Sequence, residues 1–406
     1  MKTLPLICLL FLPTLARSQS PLPVIIDAAS YPNLQSALDA VPEAGGLVNI
    51  PPGNYEITAP LRVKTAETRI VGAGAATHVI NRSQAGEPAF ILRPATLDQD
   101  KKARLWRVQM ANLRISGNEK SGDGVFAEGI QEIYFEGVSI DHHGGHGIHL
   151  KGCFEDPRIA DCIITYNKKS GVEIDDCHDI VVNANHFEEN QDALRCVNSF
   201  NLCMNGNNID DHLGNGVVIE NTYGSVVSGN MIEECNGTAI ILDRDCYGIT
   251  LSSNVIAHHL KGGIDLRDAC GCTLSANTFT IAHEFSVRVA GESERNTISA
   301  NNFCNTYIGR GQDKRPAEAA TPMGIDEGTG LLLEDGVNGL VVSGNSFSGL
   351  STAAVWSLGE VSNILITSNL SLDCGRKLAK GSAWFAVKER PSVILKDNLT
   401  GSPSKN

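Results

Sequence analysis

The sequence predicts an all-β solenoid, a long coil of stacked parallel strands, and three observations carry that prediction. Two successive segments, Gly229 to Cys246 (GNMIEECNGTAIILDRDC) and Ser253 to Cys270 (SNVIAHHLKGGIDLRDAC), are copies of one unit at an offset of 24 residues. Asn112, Gly137, Asp161, Asn185, Asn207, Asn230, Asn254, Asn277, Asn301, Asn345, Asn369 and Asn398 occupy one equivalent position, at intervals of 22 to 25 residues apart from one gap of 44 and a last step of 29. Each period holds three short strand-like runs separated by turn residues, as in YGITLSSNVIAHHLKGGIDLRDA, and the chain has 40 glycines and few helix-forming stretches. The leucine-rich horseshoe would need an L-x-x-L-x-L pattern that is absent. An Asn column is expected to stack its amides and bond to turn backbone at each level.

Residues 1–18 read as a secretory signal: Lys2, the apolar run Leu4 to Leu15, then the small residues around Ala16 and Ser18. That run is too short to span a bilayer, and no later stretch is long and apolar enough. The expected address is secreted or periplasmic. Residues 19–104 are expected to form the N-terminal cap and first coils. There Leu34, Ala37, Leu38 and Val41 recur at helical spacing, stopped by Pro42 and Gly45-Gly46. The stretch LVNIPPGNYEI (Leu47 to Ile57) follows as strand, turn and strand. A helix shielding the first coil suits a solenoid, whose end must be kept from edge pairing. Residues 105–406 carry the repeats. The gap of 44 marks an inserted loop, 309–330, expected to wall one end of a groove.

Removing Lys2 and Arg17 takes the formal charge from -13 to -15, which argues against nucleic acid or anionic membrane as partner. Eleven of the 12 cysteines remain after cleavage. Cys153 and Cys177 lie one period apart, as do Cys246 and Cys270. Stacked residues of neighbouring coils come close enough for a disulfide, and stacked thiols packed as small hydrophobes are the simpler expectation. No Cys-x-x-Cys or His-rich zinc pattern is present.

The cap LQSALDAVPEAGGLVNIPPGNY followed by Asn-marked coils resembles the right-handed parallel β-helix proteins of the pectin-lyase-like superfamily, which includes pectate lyases, polygalacturonases, alginate lyases and epimerases. The resemblance covers nearly the whole mature chain and implies a right-handed parallel β-helix of about 10–12 coils with an N-terminal capping helix. It also implies that the Asn ladder marks the turn between the second and third strands, and that the first strand of the next coil lines a substrate groove. Carried onto this chain, the groove strands are GIHL (147–150), GVEI (171–174), ALRC (193–196), GVVI (216–219), AIIL (239–242), GIDL (263–266) and SVRV (286–289). Strand alternation then points one column outward: His149, Glu173, Arg195, Val218, Ile241, Asp265 and Arg288. A second column, two residues on, holds Lys151, Asp175, Val197, Glu220, Asp243, Arg267 and Ala290. The turn beyond adds Asp176, Arg244, Asp245 and Asp268. Loops DHHGGHG (Asp141 to Gly147), AHHLKG (Ala257 to Gly262) and Asp210-Asp211-His212 are expected to overhang the same face.

Stacked coils lie ~4.8 Å apart, so Glu220 and Asp243, one coil apart, suit a retaining carboxylate pair, and Asp175 and Glu220, two apart, an inverting one. The polygalacturonase pattern fails, because Gly145-His146-Gly147 precedes Asp175-Asp176 and no Arg-x-Lys follows. A lyase instead removes the proton α to a uronate carboxylate and needs a base and a cation for the enolate-like charge. Asp243, Asp265, Arg267, Arg244 and Asp268 are the expected catalytic group. Lys151, Glu173, Asp175, Arg195, Glu220, Arg288 and His146 are expected to bind substrate, and Asp245 with Asp268 to hold Ca²⁺ through oxygen ligands. No other cofactor is expected. A C5-epimerase would use the same parts, although Asp156-Pro157-Arg158 is only a fragment of the Asp-Pro-His motif of alginate epimerases. The expected function is therefore an exported enzyme cleaving a uronate-containing polysaccharide by β-elimination. A glycoside hydrolase, a uronan epimerase and a non-catalytic carbohydrate-binding or surface β-helix stand as alternatives.

Overall fold

The computed structural model describes residues 24–259, 261–304, 328–375 and 377–401. The expected signal segment, 1–18, lies outside them, as does most of the expected inserted loop, 309–330. The chain winds as a parallel solenoid of about 14 turns with almost no helix. One strand of each coil joins a 13-stranded parallel sheet, and the other two join a 29-stranded sheet. The cap helix Leu34–Asp39 buries Leu34, Ala37 and Leu38, and the Asn33 side chain caps it by accepting the Ser36 N–H at 2.9 Å.

Alternation along each strand of the 13-stranded sheet puts one apolar column inside. Ile148, Val172, Leu194, Val217, Ile240, Ile264 and Val287 stack in register, and Leu150, Ile174, Cys196, Ile219, Leu242, Leu266 and Val289 form the next column, all of them fully buried. Each such side chain contributes roughly 1.5–3 kcal/mol of transfer free energy. Further along the interior, Phe279, Phe303 and Phe347 stack face to face at 4.8 and 4.5 Å.

The asparagine ladder runs unbroken from Asn185 to Asn398. Each amide donates to the Oδ1 of the next, at 2.9–3.0 Å, and Oδ1 also accepts a backbone N–H from the previous coil. The first three positions assigned to it depart from that pattern. Asn112, Gly137 and Asp161 sit one residue earlier, at φ 54, 61 and 54, in the left-handed turn that precedes the ladder residue. The ladder level there holds Leu113, Val138 and Cys162, and Cys162 N–H donates to Asn185 Oδ1 at 2.9 Å. Asn and Asp tolerate left-handed backbone, so they recur at the turn position as readily as at the ladder.

The described cysteines other than Cys304 are free thiols. Cys153 and Cys177 stack, with Cys153 N–H 3.4 Å from Cys177 Sγ. Cys246 and Cys270 are not equivalent: Cys246 pairs with Ala269 and Cys270 with Tyr247. Arg244 and Asp245 are both left-handed, at φ 53 and 62, and this wider turn inserts one residue relative to the next coil. Among the described residues no helix is long and apolar enough to cross a membrane.

Candidate functional site

The outward face of the 13-stranded sheet carries the two expected columns. Strand pairing aligns His149, Glu173, Arg195, Val218, Ile241, Asp265 and Arg288 residue for residue, and beside them Lys151, Asp175, Val197, Glu220 and Asp243. Val197, Val218 and Ile241 are buried despite facing out.

In the middle of this face the charges close on one another. Asp265 is fully buried between two guanidinium groups: Arg267 Nε donates to its Oδ2 and Arg288 Nε to its Oδ1, both at 2.8 Å. Arg267 also reaches Asp243 at 3.3 Å, and Arg288 lies 3.7 Å from Glu334. One step toward the N-terminus, Arg195 bridges Glu173 at 3.1 Å and Glu220 at 2.9 Å, and Arg244 pairs with Glu220 as well. The carboxylates that occupy Arg195, Arg244, Arg267 and Arg288 are thus the protein's own. Lys151 lies 3.6 Å from Glu128, and Asp175 accepts the Asn198 amide at 3.2 Å. The structure therefore brings Asp243, Asp265 and Arg267 together, joins Arg244 to Glu220, and leaves Asp268 apart from them. Asp268 Oδ2 accepts the Asp245 N–H at 2.6 Å in the turn, and no described third acidic, histidine or cysteine ligand joins this pair. At Asp245 and Asp268, where Ca²⁺ is expected, the structure shows this turn hydrogen bond, formed because the extra residue in the Asp243–Cys246 turn aims a backbone donor at Asp268.

The N-terminal end of the face is arranged differently. Asp123 and His146 occupy the same position, two residues before the strands Val125–Glu128 and Ile148–Lys151, in the segments SGDGV and GGHGI. Gly145 permits this close stacking, since a Cβ there would stand 2.2 Å from Asp123 Oδ1. Asp123 Oδ1 accepts the His146 N–H at 2.8 Å, and Oδ2 lies 3.2 Å from His149 Nδ1. The two imidazoles are 5.2 Å apart, and Phe126 stands edge-on to His149 at 5.1 Å. His146 Nδ1 is shut off from water with no hydrogen-bond partner among the described residues, and the closest carboxylate oxygen, Glu173 Oε2, is 3.7 Å away. Glu173 is itself 8% exposed and accepts the Ser170 hydroxyl at 3.0 Å. Burial pushes His146 down to about 4, so its imidazole is neutral near neutral pH. Burial raises the Glu173 carboxyl against the pull of Ser170 and Arg195. At Asp123 burial works upward too, but the donors His149 and the His146 N–H outweigh it and hold the carboxyl below its usual range. A pocket of about 530 Å³ opens here, lined by Gly122, Asp123, Phe126, His146, His149 and Lys169.

Asp123 and Phe126 were not among the sequence-predicted residues. The repeat carried the signal: SGDGVF and GGHGIH align at the 23-residue offset, one coil before the first groove strand assigned.

Three of the other loop histidines do not overhang the groove. His143, His212 and His259 turn into the coil and are essentially unexposed, because at the turn before each groove strand this position faces inward, in line with Asn167, Asn190 and Cys235. Burial pushes them down to about 4, 4 and 3. Asp210, Asp211, Glu233, Glu234 and His258 gather on the turn at the far edge of those loops. There burial, then Asp211, pushes Glu234 up to about 7.

Fold and face together define a right-handed parallel β-helix protein with an ion-laced outward sheet. The model of the family described as periplasmic copper-binding protein (NosD) matches residues 116–317, just under half of the chain. A comparison with curated protein sequences gives no match. Among solved structures, the chain is similar to a mannuronan C-5 epimerase A-module of Azotobacter vinelandii, with 16% identity over 93% of this chain and 100% of that one and a TM-score of 0.54. It is similar to a surface adhesin of Streptococcus pneumoniae at 12% identity, covering 87% and 91% of the two chains with a TM-score of 0.55. A tailspike protein of bacteriophage CBA120 aligns at 13% identity over 91% of this chain and 62% of its own, with a TM-score of 0.59. These likenesses establish the fold.

Proposed function

We propose that the protein is an exported carbohydrate-active enzyme that lays an acidic polysaccharide along the outward face of the 13-stranded sheet and cleaves it by β-elimination at the Asp123–His146–His149 pocket. The observation that carries this reading is the contrast along the face. In the middle the charged groups are already matched to one another, whereas at this end a shielded imidazole nitrogen has no hydrogen-bond partner among the described residues and a pocket opens beside it. Polar groups left unmatched in a concave site are positioned for a ligand. The paired groups further along, with their fixed donors and acceptors, suit sugar hydroxyls and hold the chain in register.

Removing the proton α to a uronate carboxylate requires a base within hydrogen-bond reach and donors at the charge that develops. Glu173, oriented by Ser170 and Arg195, is the proton acceptor in this reading. Lys169 on the rim meets the uronate carboxylate, and Asp123, His146 and His149 form the polar floor. A neighbour that acts on mannuronan supports a uronan as substrate class, and the periplasmic family description supports the exported address read from residues 1–18.

The test is digestion of a panel of acidic polysaccharides, followed by ultraviolet absorbance of unsaturated ends and by reducing-end assay. Both signals are expected, and Glu173→Gln is expected to slow turnover by ~10²–10⁴-fold. Reducing ends without absorbance indicate a hydrolase, and solvent-deuterium uptake without cleavage indicates an epimerase. Binding with no product from any substrate leaves the non-catalytic alternative.

A further inference from the structure

We infer that Asp123, His146 and His149 bind one divalent transition-metal ion. One ligand atom from each of the three lies within 4.8 Å of the others, and the Asp123–His149 pair already stands at 3.2 Å. Ligand atoms of an ion with bonds of ~2.0–2.1 Å sit about 3.4 Å apart in a tetrahedron, so closure needs only side-chain rotation.

Three features select this cluster over the two acidic ones on the far turn. First, His146 Nδ1 is buried with no hydrogen-bond partner among the described residues, an arrangement that is costly for a polar atom unless a ligand satisfies it. Second, Asp123 Oδ1 is fixed by the His146 N–H, so Oδ2 is presented in a defined direction, as outer hydrogen bonds do for metal-binding carboxylates. Third, the pocket beside the three side chains leaves room for a water or a substrate oxygen to complete the coordination sphere.

The donor set names the class of ion. Two imidazoles and one carboxylate suit zinc, copper, nickel or ferrous iron, whereas Ca²⁺ takes six to eight oxygens. The site sits in the pocket proposed for β-elimination and deepens that reading, because a bound cation supplies the charge that a uronate carboxylate and its enolate-like form require. Metal binding itself can be measured without any turnover.

The experiment is titration of the purified full chain with Co²⁺, followed by its visible absorption, and with Cu²⁺, followed by electron paramagnetic resonance. One ion per chain is expected, with hyperfine structure from two nitrogens, and excess Ca²⁺ should not displace it. Asp123→Asn and His149→Ala should each lower Co²⁺ affinity by at least ~100-fold, the upper end of what loss of a mere outer-shell partner costs. Circular dichroism and the melting temperature confirm that these variants fold, and Asp123→Asn keeps an oxygen that can accept the His146 N–H. Glu233→Gln, in the other histidine-containing cluster, should leave the signal unchanged. Unaltered Co²⁺ binding in both groove variants, or its loss in Glu233→Gln, overturns the assignment. Metal binding without cleavage of any polysaccharide would sink the lyase reading and leave the site standing. Cleavage by a chain that binds no metal would do the reverse.

Discussion

The middle and the N-terminal end of one sheet face were built by the same repeat, yet they differ in what they leave open. At Asp265 the outward residue is a carboxylate held by Arg267 and Arg288 and shut off from solvent. At His149, in the same column, the outward residue meets Asp123 and lies beside a histidine whose Nδ1 nothing satisfies. The first region matches its charges within the face, and the second leaves one buried polar atom without a hydrogen-bond partner among the described residues.

That comparison can be broken at several points. The largest expected effect is acid destabilisation from the interior. His212 and His259 have folded-state values pushed down to about 4 and 3, against 6.5 unperturbed. A depressed histidine adds nothing while both states are neutral. Below about pH 6.5 the unfolded chain takes up the proton first, so stability falls down to about pH 4, by roughly 3 kcal/mol per histidine. Urea unfolding at a series of pH values measures the slope. His212→Asn with His259→Asn should flatten it, and a slope left unchanged would move acid sensitivity to the groove.

Next in size is Asp265→Ala, expected to cost about 3–5 kcal/mol, because Arg267 and Arg288 lose the carboxylate between them. Denaturant midpoints measure it, and a cost below about 1 kcal/mol would mean that the middle of the face is as open as its N-terminal end. Asn254→Ala should cost about 2–3 kcal/mol by leaving the Asn230 N–H and the Val227 carbonyl without their partner. The smallest stability effect, about 1 kcal/mol or less, is expected for His149→Ala, partly buried with one polar contact. Its loss should appear in ligand and metal binding instead. A large drop in melting temperature for this variant would make the cluster structural.

The sequence reading went furthest where the chain repeats. Period and cap helix follow from spacing, and the outward column from His149 to Arg288 follows from the family resemblance together with a side-chain period of two. It slipped by one residue where turns vary. Asn112, Gly137 and Asp161 share composition with the ladder but stand in the turn before it, and the pair of left-handed residues Arg244 and Asp245 breaks the match of Cys246 with Cys270. The loop histidines were assigned to the wrong side, since whether His143, His212 and His259 point in or out depends on where the turn closes.

By itself the sequence determined a parallel solenoid and which residues share a face, because both are consequences of periodicity. Only the tertiary structure decided which neighbours on that face satisfy one another. Asp265 and His149 occupy equivalent positions in the repeat, and what separates them is the reach of side chains from adjacent coils: two guanidinium groups close over one, and over the other an imidazole nitrogen is buried without a partner. That distinction is made by contacts between coils, and no spacing within the chain encodes it.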